Sequence, residues 1–181
     1  MTTDIPRESL QEQLNELKLD MEADPSIGDD LFFFPTHEGV NGYWGTDPVW
    51  FVGQKPSKGG PGFPDRAVTL LYETLVEYGF ENAHITDITK ERGYVPSDWK
   101  KIRVEEVERM RPYFRREIEL LNPSVLVSMG QYVYNALKYM EATDGARLEY
   151  IPHYSWAIRT DENRAKFVEN VERIATLTNR K

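Results

Sequence analysis

Val49-Trp50-Phe51-Val52-Gly53-Gln54-Lys55-Pro56-Ser57, continuing as Lys58-Gly59-Gly60-Pro61-Gly62-Phe63-Pro64-Asp65-Arg66-Ala67, decides the fold. Four apolar residues, β-branched or aromatic, specify a short buried strand, and the glycine, proline and lysine run behind them cannot extend it. A helix-patterned segment from Arg66 to Tyr78 follows at once, so the order is strand, glycine-rich loop, helix. In open α/β sheets, ligands bind at the loops after the strand carboxyl ends.

Further along, Ala83–Ile88, Ser124–Gly130 and Leu148–Pro152 read as three more strands. Helical periodicity separates them over Arg103–Leu121, where Pro112 either kinks the helix or opens its second part, and over Gln131–Met140. A last helix is capped by Thr160 and carries Phe167, Val171, Ile174 and Leu177 on one face. Ahead of the central strand, Pro6–Ala23 places Leu10, Leu14, Leu17 and Met21 along one stripe of an amphipathic helix. Leu31–Phe34 reads as a short strand or an apolar plug, Thr36–Pro48 as a loop or hairpin, and Thr89–Lys101 as a loop. Strands alternating with helices predict an α/β fold, three-layer α/β/α, with a central, mainly parallel four-stranded sheet. A single domain over 1–181 is expected, with an acidic helical extension at about 1–24.

Cysteine is absent, which excludes disulfides, thiolate metal sites and iron–sulfur clusters. No apolar run approaches a membrane span, and a cytoplasmic location is expected. The net charge of −8 is uneven: residues 1–48 hold 11 acids against Arg7 and Lys18, leaving 19 acids and 20 bases in 49–181. A near-neutral body with local basic groups can contact phosphates, and the acidic front helix offers a surface to a protein partner.

Segments of this body resemble the uracil-DNA glycosylase superfamily, nearest to its family four. The matching stretches are Gly53-Gln54-Lys55-Pro56-Ser57 with Gly62-Phe63-Pro64-Asp65-Arg66-Ala67-Val68; Ile85-Thr86-Asp87-Ile88-Thr89-Lys90-Glu91-Arg92; Met110-Arg111-Pro112, Leu120-Leu121-Asn122-Pro123 and Met129-Gly130; and His153-Tyr154-Ser155-Trp156-Ala157-Ile158-Arg159. The resemblance covers roughly residues 49–175. Family four holds an iron–sulfur cluster through four cysteines, whereas Glu91 and Met110 stand at two of those positions here, so no cofactor and no metal are expected.

The resemblance implies a DNA glycosylase that flips out a damaged or modified base, uracil or a related deaminated base, and hydrolyses its N-glycosidic bond in repair or DNA defence. Its partner would be single- or double-stranded DNA, bound by a monomer. Phe63 would lie under the flipped base, or else anchor its loop on the core. Asp87 takes the place of the family's base-reading asparagine; ionised, it offers acceptors only, and the alternative is a loop cap. His153 would donate a hydrogen bond to the leaving base's O2, while His37 and His84 are left structural. Gly53, Pro56, Ser57 and Ser155 complete the substrate wall. With no carboxylate after the motif glycine, Gln54 would position water, and Lys55 either forms an imine with the sugar or joins Lys58 on phosphates. Arg66, Arg92 and Arg159 are further phosphate ligands, and Trp156 or Ile158 would fill the vacated stack. Two other readings stand beside this one: a catalytically silent base- or DNA-binding module of the same fold, and an unrelated nucleotide-binding α/β enzyme, although no Gly-x-x-x-x-Gly-Lys-Ser/Thr pattern is present.

Overall fold

Every residue of the central strand β1 (Val49–Gly53) is buried, as its uninterrupted apolar run requires of a strand covered on both faces. In the computed structural model, which describes residues 7–56, 62–93, 98, 100–142 and 145–180, β1 pairs in parallel with β2 (His84–Asp87) and with β3 (Val125–Met129). β4 (Arg147–Ile151) pairs in parallel with β3, giving the order β2-β1-β3-β4. The chain steps outward from β1 to β2 on one side and from β3 to β4 on the other. The direction of winding therefore changes between β1 and β3, where open sheets form their ligand crevice.

Alternation along the strands builds two cores. Phe51, Ile85 and Val127 face α2 (Arg66–Glu77) and α6 (Asp161–Leu177), meeting Leu71, Leu75, Phe167, Val171 and Ile174. Trp50, Val52 and Leu126 face the other way, onto α1 (Arg7–Ala23), α3 (Val104–Leu121) and α4 (Gln131–Tyr139). The α1 stripe is inserted in that second core, with Leu14, Leu17 and Met21 buried.

Two open alternatives resolve and one further element comes to light. Leu31–Phe34 is no strand: Leu31 alone makes a bridge, to Glu91, and Phe33 and Phe34 plug the core. Pro112 opens no second helix, because α3 runs through it; the lost N–H is tolerated while Met110 and Phe114 on either side are buried. A four-residue helix, α5 (Tyr154–Ala157), follows β4 and is too short to leave a period in the sequence.

Beneath the sheet, α3 delivers a carboxylate into the second core. Glu117 is fully buried and pairs with Lys90 Nζ at 2.6 Å and with His84 Nε2 at 3.5 Å. It also accepts hydrogen bonds from Thr86 Oγ1 at 3.0 Å and Tyr43 Oη at 3.3 Å. Burial pushes this carboxyl up, but Lys90 and His84 more than offset it, and it lies below the usual carboxylate range. Because Thr86 and Lys90 bracket Asp87, this knot fixes the strand end that carries the candidate reader of the base. Removing one partner strands the others: Glu117→Ala is expected to lose about 3–5 kcal/mol in urea unfolding, whereas an exposed α1 change such as Leu19→Ala is close to neutral.

Candidate functional site

The carboxyl ends of β1 and β2, the loop before α2 and the segment after β4 enclose a hollow of about 300 Å³. Its walls bring together Gln54, Lys55, Pro56, Phe63, Asp87, His153 and Ser155, residues spread over a hundred positions of sequence. The volume falls at the lower end of small-ligand pockets, suited to a nucleobase. Ser57 and Lys58 lie outside the described residues.

Phe63 is half-buried and held edge-on by His37 at 5.4 Å and Tyr72 at 5.7 Å between ring centroids, with Phe32 behind it at 6.2 Å. It is thus anchored on its surroundings and lines the hollow at once. Asp65, two residues on, caps α2 by accepting from Val68 N at 2.8 Å, and it adds to the wall a second carboxylate that the sequence reading did not single out.

Asp87 is paired in register with Gly53 on the α2 side of the sheet. A Cβ on Gly53 would come 2.1 Å from Asp87 Oδ1, so glycine is required for the carboxyl to lie here. Among the described residues no donor hydrogen-bonds to it, and no loop cap is formed. Its nearby cations are engaged elsewhere, Lys90 with Glu117 and Arg92 with Asp30 at 3.3 Å. Burial raises the Asp87 carboxyl to about 7 against the pull of Lys90.

His153 caps α5. Its Nδ1 accepts from Ser155 N at 3.1 Å and lies 2.7 Å from the Ser155 hydroxyl, so the proton of the neutral ring belongs on Nε2. Burial lowers its pKa to about 4, with Arg159 reinforcing the effect against Asp65. The imidazole is therefore a neutral N–H donor at physiological pH. Tyr154 stacks on it, centroids 4.2 Å apart, and Gly130, at φ +104°, lets the backbone pass beside its Cβ.

Gln54 lines the hollow with a buried side-chain nitrogen that has no hydrogen-bond partner among the described residues. Lys55 is differently disposed: its ammonium lies 3.0 Å from Glu106 on α3, a carboxylate also bonded by Arg103. Pro56 is buried, and its carbonyl accepts from Gly93 N. Arg92 reaches the wall while stacked on Phe32.

Beside this hollow lies a groove of about 490 Å³ where Arg66, Ile158 and Arg159 are joined by Arg164, from the first turn of α6. Among the described residues none of these three arginines has an ion-pair partner. Trp156 is half-buried and lines neither hollow. Sequence reasoning missed Arg164 and Tyr154; the spacing of Arg164 from Thr160, one helical turn, was the available signal for the first, and adjacency to His153 for the second.

A parallel sheet with a hollow at its carboxyl edge, walled by an aromatic ring, a buried carboxyl and a neutral histidine, defines an α/β protein whose candidate ligand site lies where open parallel sheets bind theirs. The family model of the Uracil DNA glycosylase superfamily matches residues 45–175. The chain belongs to that superfamily, and the reading as an unrelated nucleotide-binding enzyme is overturned. Members act on DNA, and membership supports a function of the DNA-glycosylase type. No curated protein matches the chain. Among the described residues no helix is long and apolar enough to cross a membrane.

The buried carboxyl has a thermodynamic signature. Between its ordinary value of 3.8 and about 7, folded Asp87 holds a proton that the unfolded chain has released. Its contribution to stability therefore falls as pH rises through that window, and the penalty is complete above 7. His153 acts in the opposite sense, lowering stability as pH falls from 6.5 to about 4, so the comparison must isolate Asp87. The stability advantage of Asp87→Asn over the wild type should grow by roughly 2–3 kcal/mol between pH 5 and pH 8 in denaturant unfolding.

Proposed function

We propose that this protein is a DNA glycosylase that accepts an extrahelical deaminated base and hydrolyses its N-glycosidic bond. The observation that carries the reading is the meeting of Gln54, Phe63, Asp87 and His153, from four separate segments, in one hollow. Phe63 offers a π surface to the base, and Asp87 lies deep enough to meet its hydrogen-bonding edge. As the C1′–N bond breaks, its electron pair passes to the base and negative charge builds at O2, where the Nε2–H of His153 is the donor that stabilises it. A water held by the unpartnered amide of Gln54 forms the new C1′–O bond, and its proton goes to the departing base. Neutral free base and an abasic sugar result. Lys55, held against Glu106, serves in this reading as a brace between β1 and α3 rather than as a nucleophile.

DNA would be held by the groove beside the hollow. Arg66, Arg159 and Arg164 are all exposed there, on a molecule whose net charge is −8, and their clustering supports a role on backbone phosphates, with Ile158 against the gap in the stack. One feature favours a second reading, the silent binding module: no carboxylate follows the motif glycine, where Gln54 and Lys55 stand.

Incubating the protein with oligonucleotides carrying uracil, hypoxanthine or xanthine, then treating with alkali, decides between them. The glycosylase reading expects strand scission that His153→Ala reduces on the order of 10²–10³-fold. Binding with no scission on any substrate establishes the silent module instead. Separately, Arg164→Gln is expected to weaken DNA binding across all sequences and to reduce the slope of log affinity against log salt by about 1, measured by fluorescence anisotropy.

A further inference from the structure

Asp87 is 5% exposed, and its carboxyl faces the base-sized hollow with no hydrogen-bond donor among the described residues. The groups around it come from every neighbouring element. β1 contributes Gly53 at its back and Gln54 in the wall. The segment after β2 contributes Lys90 and Arg92, α3 contributes Glu117, and α2 and α5 contribute Tyr72 and Tyr154. The two cations are bound to other carboxylates, Glu117 adds like charge, and Tyr72 already donates to Pro35 O at 2.8 Å. A carboxyl in such a place is stable as an acid, since an unpaired buried charge neutralises itself.

That protonation changes what the side chain can read. A carboxylate presents two acceptors, and one of them faces the lone pairs of a base carbonyl. A carboxylic acid presents one O–H donor and one C=O acceptor side by side, as a carboxamide does. The edge it complements is an N–H next to a carbonyl oxygen, the pattern at N3 and O4 of uracil and at N1 and O6 of hypoxanthine.

We propose that Asp87 is the specificity-determining residue of this site and reads that N–H/carbonyl edge in its protonated form, so that base release is greatest at acidic to neutral pH and declines above it. The proposal rests on the glycosylase reading and adds to it the protonation state in which the base edge is read. The raised value of about 7 places the decline in an accessible range, while His153, at about 4, stays neutral throughout it.

Single-turnover release of uracil, and separately of hypoxanthine, from single-stranded oligonucleotides between pH 5.5 and 8.5 is the test, on wild type and on the near-isosteric Asp87→Asn. The wild-type rate should fall about tenfold per pH unit above neutrality, as the acid fraction does. Asp87→Asn should give a flat profile and outpace the wild type at pH 8.5 by tenfold or more. A flat wild-type profile, or the same decline in Asp87→Asn, overturns the proposal and leaves the glycosylase reading intact. Absence of release of both bases at every pH overturns the proposal, and if xanthine is not released either, the glycosylase reading falls with it.

Discussion

The ion pair between Glu117 and Lys90 is the constraint on which this molecule turns. A carboxylate and an ammonium buried to within 1% of complete exclusion are expensive to desolvate, and they are tolerated because Thr86, Tyr43 and His84 add polar contacts around the carboxylate. The pair joins α3 to the residues on both sides of Asp87. It also withdraws the cation nearest to Asp87 along the chain. One structural knot under the sheet thereby creates an unneutralised carboxyl above it.

The site divides its labour between two groups whose ionisation burial reverses. His153 is kept from becoming a cation and Asp87 is raised toward neutrality, so in the proposed reaction both would bring donors rather than net charge to the leaving base. Positive charge is placed outside, in the arginine groove, where phosphates would pass. Lys55 illustrates the separation: although it follows the motif glycine closely, its charge is spent on Glu106.

Much of this was legible in the sequence because it is local or periodic. The unbroken apolar run Val49–Val52 and the glycine-rich stretch behind it establish a buried strand that opens a loop, and the order of the motifs around Gly53, Asp87, Gly130 and His153 follows the strand ends that form the carboxyl edge. What was not legible depends on pairings across the chain. Nothing near Lys55 announces Glu106, and nothing near Lys90 announces Glu117, since each partner comes from a different turn of α3. The unusual ionisation of Asp87 follows chiefly from its burial, which also depends on packing across the chain and was equally hidden. Short elements escaped for another reason: α5 has a single turn, and Leu31–Phe34 is apolar enough for a strand while only Leu31 finds a partner.

Gly53 and Asp87 occupy one shared space. A methyl group on the first would sit 2.1 Å from an oxygen of the second, so position 53 cannot take a side chain while the Asp87 carboxyl lies where it does. A side chain at 53 would force that carboxyl to turn away or give way to a shorter group, and either change empties its place in the hollow. The close approach of β1 to the edge strand β2 at this point and the position of the carboxyl in the hollow are therefore set by one and the same glycine.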